Sequence, residues 1–126
     1  MKNDNPLSPH IQIYNWHISS LVSISHRITG IINIIIITLI CFWVALLLLG
    51  NTNYDLVQTF FETYLGKFFI VATVWSFSFQ VLCEIRHLFW DLGYGFEIKT
   101  SNVTGLLVIF GSVFLTILIL GKNIIL

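Results

Sequence analysis

A long uncharged apolar stretch restricts most strongly what this sequence can form. Residues 28–50 contain no acidic or basic side chain and include four consecutive isoleucines at 34–37. Because an α-helix rises about 1.5 Å per residue, this stretch is long enough to cross the roughly 30 Å hydrocarbon core of a bilayer. We therefore predict a transmembrane helix over residues 28–50.

Two further apolar runs have the length of a membrane span. The second begins near Leu65 and ends where Glu84 and Arg86 return the chain to a polar zone. The third closes on Gly121 and Lys122. We predict spans over about 65–90 and 103–121, and therefore an all-α membrane protein whose residues 1–126 form one transmembrane domain.

The first 27 residues differ from the spans. Two prolines, Pro6 and Pro9, precede a mixed polar and apolar stretch that is too short to span a bilayer. We expect an extended segment and a short interfacial element, with Tyr14 and Trp16 in the headgroup layer, where amphipathic rings favour the interface. Packing of these two rings against the protein itself is an open alternative.

The charge composition excludes several classes of protein. Six basic and six acidic residues make up 10% of the chain, whereas soluble domains average about 25% charged residues. A soluble enzyme domain is therefore excluded, and the zero net charge argues against nucleic-acid binding. Cys41 and Cys83 lie inside apolar runs at a separation unlike that of metal sites, so we interpret both as reduced helix residues. No Walker loop or nucleophile elbow is present, and we expect no catalysis by this chain alone.

Basic residues near the span ends predict the orientation of the chain. Four of them fall on the side of the N-terminus and two on the other, namely Lys2, Arg27, Arg86 and Lys99 against Lys67 and Lys122. The positive-inside rule then places the N-terminus inside and the loop over 51–64 outside. Lys2 is the only basic residue before Arg27, and no apolar leader segment with a cleavage site follows Lys2. We therefore expect no cleavable presequence.

Polar residues cluster at the start of the first span. Ser23, His26 and Arg27 are three and four residues apart, a spacing that directs their side chains into roughly one sector of a helix. Such a sector can bind a polar headgroup, because Arg27 at the hydrocarbon boundary must snorkel or pair with an anion. A simple topology anchor is the alternative.

A polar stripe runs along the second span. Its members recur every three or four residues and so share one helix face: Ser76, Gln80, Glu84, His87 and Asp91. Because such a stripe avoids lipid, it must face other helices or a water-filled cavity, and we expect the missing helices to belong to another subunit. A structural hydrogen-bond seam, or a small self-assembling transporter, also fits this pattern.

Two motifs carry a resemblance to a known family. They are the run Ser23-Ile24-Ser25-His26-Arg27-Ile28-Thr29-Gly30 and the run Ile85-Arg86-His87-Leu88-Phe89-Trp90-Asp91-Leu92-Gly93. With Ser8-Pro9-His10 near the N-terminus, they resemble the cytochrome b membrane-anchor subunits of succinate dehydrogenase, respiratory complex II. The resemblance covers nearly the whole chain, three spans included.

The resemblance implies partners and a ligand. The expected partners are a flavoprotein subunit, an iron-sulfur subunit and a second membrane-anchor subunit, in a bacterial or mitochondrial inner membrane. Electrons would pass from the iron-sulfur subunit to ubiquinone. In the family, residues matching Ser23 and Arg27 line the quinone pocket and the residue matching Ile24 packs nearby. A hydroxyl and a fixed cation suit this role, because quinone reduction places negative charge on a carbonyl oxygen.

One position departs from the family pattern. The family's haem-ligating histidine lies seven residues before the histidine that matches His87, and this position is Gln80. Glutamine is a poor axial ligand for haem iron, and His87 lies about 10 Å further along the helix. The resemblance implies that His26, Arg27 and His87 lie near a haem where one is bound. The glutamine puts a bis-histidine haem b in doubt.

Overall fold

Four helices make up the protein in the computed structural model, which describes residues 10–11 and 15–125, without the side chains of 51–53 and 123–125. They are α1 (Ile18–Leu47), α2 (Asn51–Glu62), α3 (Tyr64–Asp91) and α4 (Ile98–Ile125). Three of them, α1, α3 and α4 as far as Lys122, are long and apolar enough to cross a membrane. The predicted all-α fold with three transmembrane helices is confirmed.

Helix α1 begins at Ile18, well before the predicted start of the first span. His17 has extended backbone angles, and its carbonyl accepts hydrogen bonds from the amides of Ser20 at 3.0 Å and Leu21 at 3.1 Å. A helix of 30 residues is about 45 Å long, so its first turns extend beyond the hydrocarbon core. We expected a separate short interfacial element before the first span. From Ile18 onward, the first turns of α1 occupy this part of the chain. The expected extended segment and Tyr14 lie outside the described residues, and Trp16 is exposed.

The segment between the first two spans is a helix, and the prediction of a loop over 51–64 is wrong. Helix α2 is short and passes into α3 through a single residue, Thr63. The Thr63 hydroxyl accepts a hydrogen bond from the Gly66 amide at 3.1 Å and donates one to the Phe60 carbonyl at 2.6 Å. A Cβ at Gly66 would overlap the Phe60 carbonyl, so this tight turn requires glycine.

The core lies where α3 contacts the other long helices. Its buried members are Val22 of α1, Phe79 and Cys83 of α3, and Val108 of α4. Small polar residues are buried beside them. Except for Ser76, their hydroxyls donate to carbonyls of their own helices, as Ser112 does to Ile109 at 2.8 Å. Small and hydroxyl-bearing residues let membrane helices approach closely, and most of the large apolar side chains face outward.

The polar ends of three helices meet at one end of the bundle. The start of α1, the end of α3 and the start of α4 are joined by contacts between His26 and Glu84 and between Arg86 and Ser101. We call this end the N-terminal face. The prediction that both polar clusters lie at the same membrane face is confirmed.

Candidate functional site

The polar stripe of α3 faces α1 of the same chain. Ser76 is buried, and its hydroxyl donates to Asn33 Oδ1 at 2.7 Å. One turn closer to the N-terminal face, Gln80 Nε2 donates to the His26 carbonyl at 3.0 Å. The expectation that the helices facing this stripe belong to another subunit is therefore wrong at these positions.

The stripe continues to the N-terminal face with ionisable groups. His26 Nε2 lies 3.1 Å from Glu84 Oε1, where the imidazole N–H donates to the carboxylate. The His26 and His87 rings lie 5.4 Å apart between centroids, and His87 Nδ1 donates to the Cys83 carbonyl at 2.7 Å. From Ser76 to Glu84 the stripe is thus a hydrogen-bonded seam between α1 and α3, as the structural alternative predicted, whereas Asp91 is exposed.

Sequence analysis missed Asn33, which completes this seam. The residue is buried in the middle of the bundle and accepts the Ser76 hydrogen bond. It is the one amide in the uncharged stretch 28–50. Because a polar side chain avoids lipid, that isolation was a usable indication that it faces another helix.

A second set of residues from the first motif opens onto a separate space. Ser23, Ile24 and Arg27 of α1 line a cavity of about 650 Å³ at the N-terminal face. We call it the Arg27 cavity; its other lining residues are His17, Ser19, Ser20, Phe96, Ile98, Ser101 and Asn102. Sequence analysis named the first three residues and missed the contribution of α4, which only the packing of α1 against α4 reveals.

The structure separates His26 from Ser23 and Arg27. Consecutive residues of an α-helix point about 100° apart, so His26 faces α3 while Arg27 faces the cavity. The prediction that all three side chains share one sector is wrong for His26.

Arg27 has no acidic partner among the residues that the structure describes. Its side chain is exposed, and no acidic residue in the described part of the chain lies within 4.0 Å of it. The Arg27 cavity therefore combines a hydroxyl and an uncompensated guanidinium with an isoleucine wall. Such a set can hydrogen-bond an oxygen that gains negative charge while an apolar ring packs beside it.

The seam residues do not fit a haem ligated from position 80. The Gln80 amide already donates to the His26 carbonyl, and a Cβ built on Gly30 would lie 2.9 Å from Gln80 Nε2. The amide therefore packs directly against the glycine and fills the space between α1 and α3. An amide is also a weak ligand for haem iron compared with imidazole. His26 and His87, both expected near a haem, contact Glu84 and the Cys83 carbonyl.

Comparison with known proteins supports the resemblance. The sequence model of a family described as "Succinate dehydrogenase/Fumarate reductase transmembrane subunit" matches residues 1–119. The chain is 39% identical over 117 residues to the succinate dehydrogenase cytochrome b556 subunit of Rickettsia conorii, covering 93% of this chain and 91% of that protein. Identity to the b556 subunit of Paracoccus denitrificans is 32% over 119 residues, covering 94% and 92%.

A plant relative gives the same result. The chain is 35% identical over 127 residues to the succinate dehydrogenase cytochrome b560 subunit of Marchantia polymorpha, with 94% of this chain and 90% of that protein covered. The family model covers both motifs, helices α1 and α3, and α4 as far as residue 119. The chain therefore belongs to the succinate dehydrogenase/fumarate reductase transmembrane subunit family, among its succinate dehydrogenase cytochrome b subunits.

Proposed function

We propose that this chain binds ubiquinone in the Arg27 cavity and forms part of the path by which electrons leave the iron-sulfur subunit of complex II. One observation carries the proposal: Ser23, Ile24 and Arg27 line a single cavity at the N-terminal face. The uncompensated charge of Arg27 supports it, because a cation at the membrane boundary favours a bound electron-rich oxygen.

Each residue contributes a distinct interaction in this proposal. Bound ubiquinone supplies the redox chemistry, taking up two electrons and two protons. The Ser23 hydroxyl donates a hydrogen bond to a ring carbonyl oxygen, and the Arg27 guanidinium stabilises the negative charge that develops there. Ile24 packs against the ring and keeps water away, which strengthens both interactions. Arginine holds its charge in such a site, where a lysine loses its proton more readily.

The proposal includes partners and an orientation. A flavoprotein subunit, an iron-sulfur subunit and a second membrane-anchor subunit assemble with the chain in a bacterial or mitochondrial inner membrane. The N-terminus and the N-terminal face lie on the cytoplasmic or matrix side. The positive-inside pattern supports this orientation, and the outward-facing apolar side chains of α1 leave a surface for a second anchor subunit.

We infer further that α3 supplies no haem ligand. The Gln80 amide donates to the His26 carbonyl and lies close to Gly30, and no step of the proposed electron path passes through a haem bound by this helix. His26 and His87 then serve the seam between α1 and α3.

The proposal is tested by kinetics of the purified, assembled complex. Arg27→Leu lowers succinate–ubiquinone activity about 10- to 100-fold, since a hydrogen bond to a charged group contributes about 1.5–3 kcal/mol. Ser23→Ala raises the KM for ubiquinone about tenfold or less, because a neutral hydrogen bond contributes about 1 kcal/mol. Succinate oxidation by a water-soluble electron acceptor stays at the wild-type rate in both variants.

The matched control is Lys99→Gln. Lys99 is an exposed cation at the same face and does not line the cavity, so its loss leaves the quinone kinetics unchanged. Unchanged kinetics in both Ser23→Ala and Arg27→Leu, with assembly intact, would favour a purely structural anchor. Purification of the chain without a flavoprotein, in a functional form, would instead favour the small transporter.

A further inference from the structure

Among the described residues, Arg86 is the most deeply buried charged side chain. Its residue surface is only 6% exposed, although it lies near the end of α3. Its guanidinium carbon lies 4.2 Å from the centroid of the Trp90 ring. Nε donates to Thr104 Oγ1 at 3.1 Å, and Nη2 donates to the carbonyl and hydroxyl of Ser101 at 3.0 and 2.9 Å.

All of these partners are neutral. Within the described part of the chain, the sole ion pair is that of His26 and Glu84, so no carboxylate lies within 4.0 Å of Arg86. A buried charge without a counter-ion is strongly unfavourable, and intramembrane arginines are paired in almost all cases. The packing around Arg86 therefore lacks an anion.

A groove of about 430 Å³ between α3 and α4 leads to this guanidinium. We call it the Arg86 groove; its lining residues are Leu82, Ile85, Arg86, Phe89, Trp90, Tyr94, Gly95, Thr100, Thr104, Leu107 and Val108. It shares no lining residue with the Arg27 cavity. The Arg86 groove and the Arg27 cavity are therefore distinct, and a ligand in the groove is independent of ubiquinone binding in the cavity.

The polarity of the Arg86 groove changes with depth. Near the N-terminal face, Arg86 is its charged lining residue, and nearly all of the other lining surface is apolar. One turn deeper in each helix, Leu82 and Val108 form an apolar wall. One cationic group at the outer end of an otherwise apolar groove matches a phospholipid, with its phosphate at the outer end and its acyl chain along the apolar walls.

We propose that the Arg86 groove binds an anionic phospholipid of the same leaflet, with the lipid phosphate paired to the Arg86 guanidinium and one acyl chain lying against Leu82 and Val108. Charge complementarity carries the choice of occupant, since a phosphate supplies the missing anion and accepts charge-assisted hydrogen bonds from arginine. Basic pockets between transmembrane helices are known sites for anionic lipid headgroups.

Lipid retention by the intact complex tests the proposal. The complex is reconstituted in nanodiscs of equal parts phosphatidylcholine and phosphatidylglycerol, and retained lipids are counted by native mass spectrometry. Wild-type complex retains phosphatidylglycerol in excess of phosphatidylcholine. Arg86→Gln lowers retained phosphatidylglycerol about tenfold or more, the effect of losing a hydrogen bond to a charged group. Arg86→Lys keeps part of the excess.

Two further variants keep the test decisive. Leu107→Trp fills the apolar part of the Arg86 groove and leaves Arg86 in place; it also loses the excess phosphatidylglycerol, so the test survives if Arg86→Gln does not assemble. Leu107 is 65% exposed, so the helix packing tolerates this change. Lys99→Gln removes an exposed cation from the same face and retains lipid as the wild type does.

Three results would overturn the proposal. One is wild-type complex that retains the two lipids in the proportion supplied. Another is equal retention of phosphatidylglycerol by the wild type and the groove variants. The third is a density map that shows a carboxylate of a partner subunit paired with Arg86 in place of a lipid phosphate.

Discussion

Breaking the hydrogen bond between Ser76 and Asn33 measures how strongly the seam holds α1 to α3. Asn33→Leu removes the acceptor at 2.7 Å, and the Ser76 hydroxyl keeps only the Thr29 carbonyl at 3.4 Å. Ser76→Ala instead leaves the buried Asn33 amide without this donor. Each change costs about 1 kcal/mol of unfolding free energy, since hydrogen bonds between membrane helices contribute about 0.6 to 1.7 kcal/mol.

The double variant isolates the interaction energy of Ser76 with Asn33 from the other effects of each substitution. With a coupling of about 0.6 kcal/mol, Asn33→Leu with Ser76→Ala costs about 1.4 kcal/mol rather than the 2 kcal/mol of independent changes. The assay is an SDS titration of the purified complex, followed by tryptophan fluorescence. Thr38→Val is the matched control, because the Thr38 hydroxyl bonds only to Ile34 of its own helix, and it shows no coupling to Ser76→Ala. Additive costs for the Asn33 and Ser76 variants would refute the reasoning.

Three further predictions follow from single contacts. Gly66→Ala prevents assembly of the complex because a Cβ there overlaps the backbone of α2, whereas Gly121→Ala, with open space around it, assembles normally; equal yields of both in native gels would contradict this. The dithionite-reduced absorption spectrum of the complex lacks the α band of a low-spin bis-imidazole b haem, since Gln80 occupies the ligand position, and a normal band would show that inference to be wrong. Glu84→Gln changes the unfolding free energy by less than about 0.5 kcal/mol, because water screens a carboxylate that is 67% exposed in its pair with His26; a larger loss in the same SDS titration would mean that the pair is buried in the complex.

Long apolar stretches made the fold predictable. The spans follow from the length of uncharged sequence alone, and the meeting of the two motifs at one face follows from counting membrane crossings. Helix α2 escaped prediction because only the length of apolar runs was considered, although Val57, Phe60 and Phe61 lie three and four residues apart, the spacing of an amphipathic helix. Its bounds depend on Gly50, with φ of 136°, and on the Thr63 turn, which are local features of the backbone.

Side-chain partners were less predictable than helix positions. Periodicity indicates which residues share a face of α3, but it does not tell which helix that face meets, so α1 was not expected as the partner of Gln80. Arg86 shows the same limit. From the sequence it marks the end of a span, whereas in the fold it is buried against Ser101 and Thr104 of α4. Only the crossing of two helices decides whether such a charge reaches water.

The most direct test of the proposed function is a density map of the assembled complex with bound ubiquinone. The account predicts the quinone ring in the Arg27 cavity, with a ring oxygen within hydrogen-bonding distance of Ser23 Oγ and the Arg27 guanidinium. A ring bound elsewhere, with both side chains directed at acyl tails, would contradict it.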